Sequence, residues 1–141
     1  MARTLEQQLQ WLADSFGEYL QAQQSTAVVT RDFRNHSELA RSDLTPGRWT
    51  LVASGGSGFD QSTDLDMALN EGRHGVALIF QCLEPEANTP AQVEQRVNAA
   101  FEHLRGWLML GSCNLYLASY DRCRQFDHPY GWFAASLYFT E

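Results

Sequence analysis

No run of apolar residues in this chain approaches the roughly 20 that a membrane-spanning helix needs. The N-terminal stretch MARTLEQQLQ lacks the apolar centre of a signal peptide, so the expected setting is a cytoplasm. Cysteine is scarce and odd in number: Cys82, Cys113 and Cys123. Cys82 and Cys113 fall in apolar strand patterns and read as buried free thiols, which argues against a disulfide framework. Positive charge is short too. A formal net charge of −7 does not suit a grip on nucleic-acid phosphates, although an acidic face that lets DNA slide past is compatible with it. No internal repeat or low-complexity tract divides the 141 residues, and 44% hydrophobic with 19% charged residues is a globular balance. One domain over 1–141 is expected, long enough to bury a core of its own.

Signatures of chemistry are missing as well. Gly55-Gly56-Ser57-Gly58 follows a strand, as phosphate loops do, but forms neither G-x-G-x-x-G nor a Walker sequence. The acids that follow, in FDQSTDLD, would repel phosphate. Asp60, Asp64 and Asp66 lack the glycine and terminal glutamate of an EF-hand loop. Cys113, Cys123 and His128 contain no tight ligand pair of the kind structural zinc uses. Ser54 and Ser57 sit in no G-x-S-x-G elbow, and His36, His74 and His103 share no motif. The expectation is no enzyme, no cofactor and no metal.

What the chain does have is periodicity. Leu5, Leu9, Leu12, Phe16 and Tyr19 with Leu20 recur at helical spacing over 4–23, with Thr4 and Gln7 placed as a capping box. Trp11 lies off that stripe, so it either widens the buried face or meets a partner. Short strands follow at 27–31 and 48–54, separated by polar, irregular DFRNHSELARSDLTPG. VALIF within 73–83 is apolar on both faces, as in a central strand. Thr89, Pro90 and Gln92 start a second helix, whose stripe is Val93, Val97, Ala100 with Phe101, Leu104 and Leu108, and Gly111 ends it. Alternation at 112–120 and 132–139 gives two closing strands. The order α-β-β-β-α-β-β predicts an α+β fold. Its sheet is mixed or antiparallel, of about five strands, with two main helices packed on one face.

Two connections and one sheet face remain. Residues 55–72 make a long glycine-rich, acidic loop with room for a short helical turn in DLDMALNE. It is expected to be mobile in the free subunit and to order on assembly. Residues 121–130, DRCRQFDHPY, make a loop that is charged and aromatic at once. The closing strands are apolar or aromatic on both faces. Helices on one side leave Tyr116, Tyr120, Trp132 and Tyr138 in need of cover, for which a partner subunit is the natural source.

The combination of LEQQLQWLADSF, FQCLEP, AQVEQRVNAAFEHLRGWL and a closing strand pair resembles the tail-terminator, or tail-completion, proteins of long-tailed bacteriophages. The resemblance is one of order and texture over most of the chain. It implies a virion structural protein that forms a homo-oligomeric ring, expected to be a hexamer, at the end of the tail tube. Such a ring stops tube polymerisation and offers a docking surface to the head-tail connector. DNA passes through its central channel without specific binding. The implied partners are further copies, the tail tube protein and the connector, with assembly in the host cytoplasm and no membrane. The candidate interface residues are Gly55, Gly56, Gly58, Phe59, Asp64, Asp66, Tyr116, Tyr120, Arg122, Arg124, Phe126, Tyr130 and Trp132. Alternatives are another neck or connector component of the same particle, or a small cytosolic enzyme or ligand-binding domain.

Overall fold

The computed structural model describes residues 4–57, 73–85, 89–111, 113–124 and 129–140. Thr4 opens helix α1 (Leu5–Ala22). Its hydroxyl accepts the Gln7 N–H at 3.1 Å, and the Gln7 side chain accepts the Thr4 N–H at 3.0 Å. Leu9, Leu12, Ala13, Phe16 and Leu20 are buried. Trp11 is half-buried against the same core, so it widens the buried face of the helix. Helix α3 (Pro90–Met109) starts with proline at a position whose N–H would be unpaired anyway. The Gln92 side chain accepts the Thr89 N–H at 3.1 Å, while the Gln92 N–H turns to the Thr89 carbonyl. Val93, Val97, Ala100, Leu104 and Trp107 are buried; Phe101 and Leu108 are half-buried beside them.

The strands are β1 (Val28–Thr30), β2 (Arg48–Ser57), β3 (Arg73–Leu83), β4 (Leu115–Arg122) and β5 (Tyr130–Thr140). They form one mixed sheet in the order β1-β2-β3-β5-β4, with β1 parallel to β2 and every other pair antiparallel. The fold is therefore α+β. Period-two alternation sends Trp49, Leu51, Leu78, Phe80, Phe133, Ala135 and Leu137 to the helix side, where all are buried. Val52, Ala77, Ile79, Ala134, Ser136 and Tyr138 face the other way. Arg96 anchors α3 to the sheet end, donating to the Leu83 and Thr45 carbonyls and pairing with Glu84 at 3.2 Å.

Four expectations change. The polar segment after β1 contains a 3-10 turn (His36–Glu38) and a one-turn helix, α2 (Arg41–Leu44), whose Leu44 is buried. Its first part straps the open sheet face. Gln81 donates to the Arg34 carbonyl at 3.0 Å, Arg48 donates to the Asp32 carbonyl at 2.6 Å, and the His36 ring lies 5.0 Å from Tyr130. Trp132 is consequently half-buried by its own chain.

Next, β2 runs on through Gly55, Gly56 and Ser57, paired with Gly75, His74 and Arg73. Gly55, Gly56 and Ser57, expected in the glycine-rich connection, are therefore strand residues, and the remainder of that expected loop, 58–72, lies outside the described residues. A register shift between Ala53 and Gly55 carries the ladder past Ser54, and Gly55 takes a φ of 103° there.

Third, Asp121, Arg122 and Tyr130, expected in the loop 121–130, are strand residues of β4 and β5, and residues 125–128 lie outside the described residues. Cys113, expected within a strand, precedes β4. Fourth, a register shift between Leu117 and Ser119 reverses the alternation of β4, with consequences described below.

Gly131 sets how closely α3 approaches the sheet. A Cβ there would stand 2.8 Å from Val93 Cγ1 and from Val97 Cγ2, and 3.0 Å from Cys82 Sγ. Gly131→Ala is expected to push helix from sheet and cost roughly 1–3 kcal/mol, the usual penalty for overpacking. Urea unfolding should show a lower midpoint at unchanged slope.

Candidate assembly surface

Strand β4 is a sheet edge. Leu115 is buried, but Tyr116 through Asp121 are all exposed. An edge of this length presents unpaired N–H and C=O groups along its free side. Leu115 and Leu117 pair with Phe139 and Leu137 and so face the helices. Ala118 is then the extra residue, and Tyr120 and Arg122 come opposite Ala135 and Phe133, again on the helix side.

Tyr120 therefore does not share the open face with Tyr116, as simple alternation predicts. Its ring lies 4.4 Å from Phe101 on α3. Arg122 donates to the Asn98 side chain at 2.7 Å on the same helix. Tyr116 does lie on the open face, stacked on Tyr138 with ring centres 5.5 Å apart.

The end of α3 is exposed in a way its apolar stripe does not predict. Met109 is 81% exposed and Leu110 63%, beside Tyr116 at 52%, Tyr120 at 47% and Leu117 at 36%. Among the described residues eight large hydrophobics are exposed, and these are five of them. A groove of about 330 Å³ lies between the helix end and the strand, lined by Arg105, Leu108, Met109, Gly111, Tyr116 and Leu117 among others. The available signal was the triplet Leu108-Met109-Leu110, which carries more apolar bulk than one stripe can bury.

The other candidate residues scatter. Tyr130 and Trp132 lie under the strap, where with Phe33, Ile79 and Gln81 they line a pocket of about 320 Å³. Gln81 Oε1, on a residue lining that pocket, and Arg48 Nε on the neighbouring strand are buried without partners, yet they stand on directly paired residues and are an acceptor and a donor. They are better matched to each other than to a ligand. Gly55 and Gly56 are paired strand residues, and Arg124 is exposed just past β4. Gly58, Phe59, Asp64, Asp66 and Phe126 lie outside the described residues.

Among the described residues no group of three or more His, Cys, Asp or Glu is placed to hold a metal. No described helix is long and apolar enough to cross a membrane. The chain matches no protein-family model and no curated protein.

Burial pushes the Cys82 thiol from 9.0 up to about 11, with the Arg96 charge opposing the shift. Cys82 sits at the seam between β3, β5 and α3, so it is a packing thiol and not a nucleophile. A thiol that is harder to ionise when folded gives stability that is whole below about pH 9. That stability is lost as pH rises through about 11. Cys82→Ala is expected to remove this part of the alkaline decline, roughly 2–3 kcal/mol. Urea titrations of both proteins at pH 8 and pH 11 measure it.

Proposed function

We propose that this chain is a virion structural protein that caps the end of a phage tail tube as a ring. The ring stops tube polymerisation and offers a docking surface to the head-tail connector. The reading starts from the resemblance of the sequence to tail terminators. One structural observation carries it: the exposed apolar cluster of Met109, Leu110, Leu117 and Tyr120 along an unpaired strand edge. Apolar clusters of this kind, rimmed by polar residues, mark protein interfaces. An open edge recruits a further strand by backbone hydrogen bonding. A heterologous contact repeated around an axis closes into a ring when its rotation permits. The net charge of −7 suits the wall of a channel through which DNA moves without being held. The pocket under the strap favours a second reading, a ligand-binding domain, which would leave the chain monomeric or dimeric.

Light scattering on the purified chain, with negative-stain images of the same sample, tests this. The expected result is one closed species of about six copies with a central opening. Met109→Lys with Leu117→Lys should weaken assembly roughly tenfold or more, because each places a charge where apolar contact is needed. Both positions are exposed in the subunit, so its melting temperature should change little. A wild-type chain that stays monomeric at high concentration removes the proposal.

A further inference from the structure

The strap over the open face does not close down on what it covers. Its backbone is fixed at two points, where Arg48 donates to the Asp32 carbonyl and Gln81 to the Arg34 carbonyl. Phe33 lies between those anchors, and the His36 ring packs on Tyr130 a little further on. Beneath the strap, two cross-strand pairs make the floor, Ile79 with Ala134 and Gln81 with Trp132. Ala134 offers a single methyl where a larger side chain would reach the strap. The result is a hollow of about 320 Å³. Protein interiors leave few voids larger than a water molecule, so a segment that merely shielded Trp132 would settle onto it. Ligand pockets begin at about this size, roughly 300 Å³.

The lining selects by shape and charge. Phe33, His36, Tyr130 and Trp132 set four aromatic rings around the hollow, and Ile79 with Ala134 adds aliphatic surface. Flat rings meet flat rings in offset or edge-on contact, which a saturated skeleton of the same size does not reproduce. Among the described residues no Asp, Glu, Lys or Arg lines the hollow. A charged guest would lose its hydration there with no counter-charge to receive it. Attraction of a cation to ring faces needs those faces free, and His36 and Tyr130 already pack on each other with centres 5.0 Å apart. A nucleotide phosphate finds no basic partner in this lining either. Gln81 is engaged in holding the strap. Asn35 and His36 are exposed on the strap and present polar atoms at the mouth.

We infer that the hollow under the strap binds a small, uncharged, planar aromatic molecule of one or two fused rings. The site lies at the opposite end of β5 from the groove beside Tyr116, so it does not depend on the ring. The floor is supplied by rigid paired strands and the roof by a segment bonded at both anchors, so the guest enters a cleft that is already formed.

Ile79 is the only isoleucine of the chain, so a single carbon-13-labelled isoleucine methyl signal reports on this floor. The probes share one skeleton. 2-Naphthol is neutral and flat, and decahydro-2-naphthol is neutral and not flat. 2-Naphthoate carries a negative charge, and 2-naphthylmethylammonium a positive one. Titrated into the full chain, 2-naphthol should shift the Ile79 signal saturably, with half-saturation below about 1 mM. The other probes should bind at least about tenfold more weakly. Ala134→Phe fills the hollow and should abolish the shift. Phe33→Ala takes one ring from the roof at a position that is 43% exposed, so the fold should hold while binding weakens several-fold. Circular dichroism confirms that each variant is folded.

Half-saturation above 1 mM for 2-naphthol, or no saturation, overturns the inference. Equal or tighter binding of the saturated or charged probes overturns it as well. So does undiminished binding in either folded variant, which would place the guest elsewhere.

Discussion

Trp49 is the point on which the rest of the packing depends. It is almost fully buried near the centre of the sheet, and it touches aromatic rings from three elements. Phe16 of α1 meets it edge-on with ring centres 4.7 Å apart, Phe80 of β3 at 4.9 Å, and Phe133 of β5 at 5.3 Å. Phe16 continues the chain of contacts to Trp107 of α3, also at 4.7 Å. Each such pair contributes roughly 0.5–1.5 kcal/mol beyond the area it buries. Their larger effect is geometric. Rings this size fix both helices on one face of the sheet.

Much of this could be read from residue order. The stripe through Leu9, Leu12, Phe16 and Leu20 allows only a one-faced helix, and T-x-x-Q before it marks its start. VALIF in β3 is apolar on both faces because it lies mid-sheet, between β2 and β5, with the strap crossing near one end. These signals are local: period, caps and turn residues act within a few positions. What was hidden depends on a residue's partners across the sheet. Nothing in LYLASYDR announces that Ala118 is extra, so simple alternation puts Tyr120 on the wrong face. The bulge is visible only from the pairing of Leu117 with Leu137 and Ser119 with Ser136. The strap was hidden for the same reason. Gln81 looks misplaced in an apolar strand until Arg34 offers it a carbonyl forty-seven residues away in sequence.

Of the candidate surface, Tyr116 lies on the open face as alternation predicts, whereas Tyr120, expected on that face, and Arg122, expected in a loop, are strand residues that the bulge turns to the helix side. In the sequence Met109 and Leu110 are only the tail of a helix whose apolar stripe ends at Leu108. Their exposure follows from their position on the helix. The buried stripe of α3 ends with Trp107 and half-buried Leu108, so Met109 and Leu110 fall off it and stay exposed beside the start of β4.

The two sheet edges are built for different fates. β1 is three residues long, parallel to its neighbour, and guarded by the Arg31–Glu6 ion pair at 2.8 Å, with Arg31 also donating to the Leu51 carbonyl. Short, charged edges are how proteins discourage unwanted pairing. β4 has only half of such protection. Its bulge and Asp121 discourage an arbitrary strand, but Leu117 and Tyr120 on the helix side reward a partner whose apolar residues alternate in register. β4 carries one charge on each face, Asp121 on the open side and Arg122 on the helix side, and between its ends it keeps Leu117 and Tyr120 exposed. That exposed apolar pattern along an open edge, absent from β1, is the feature on which the proposed assembly rests.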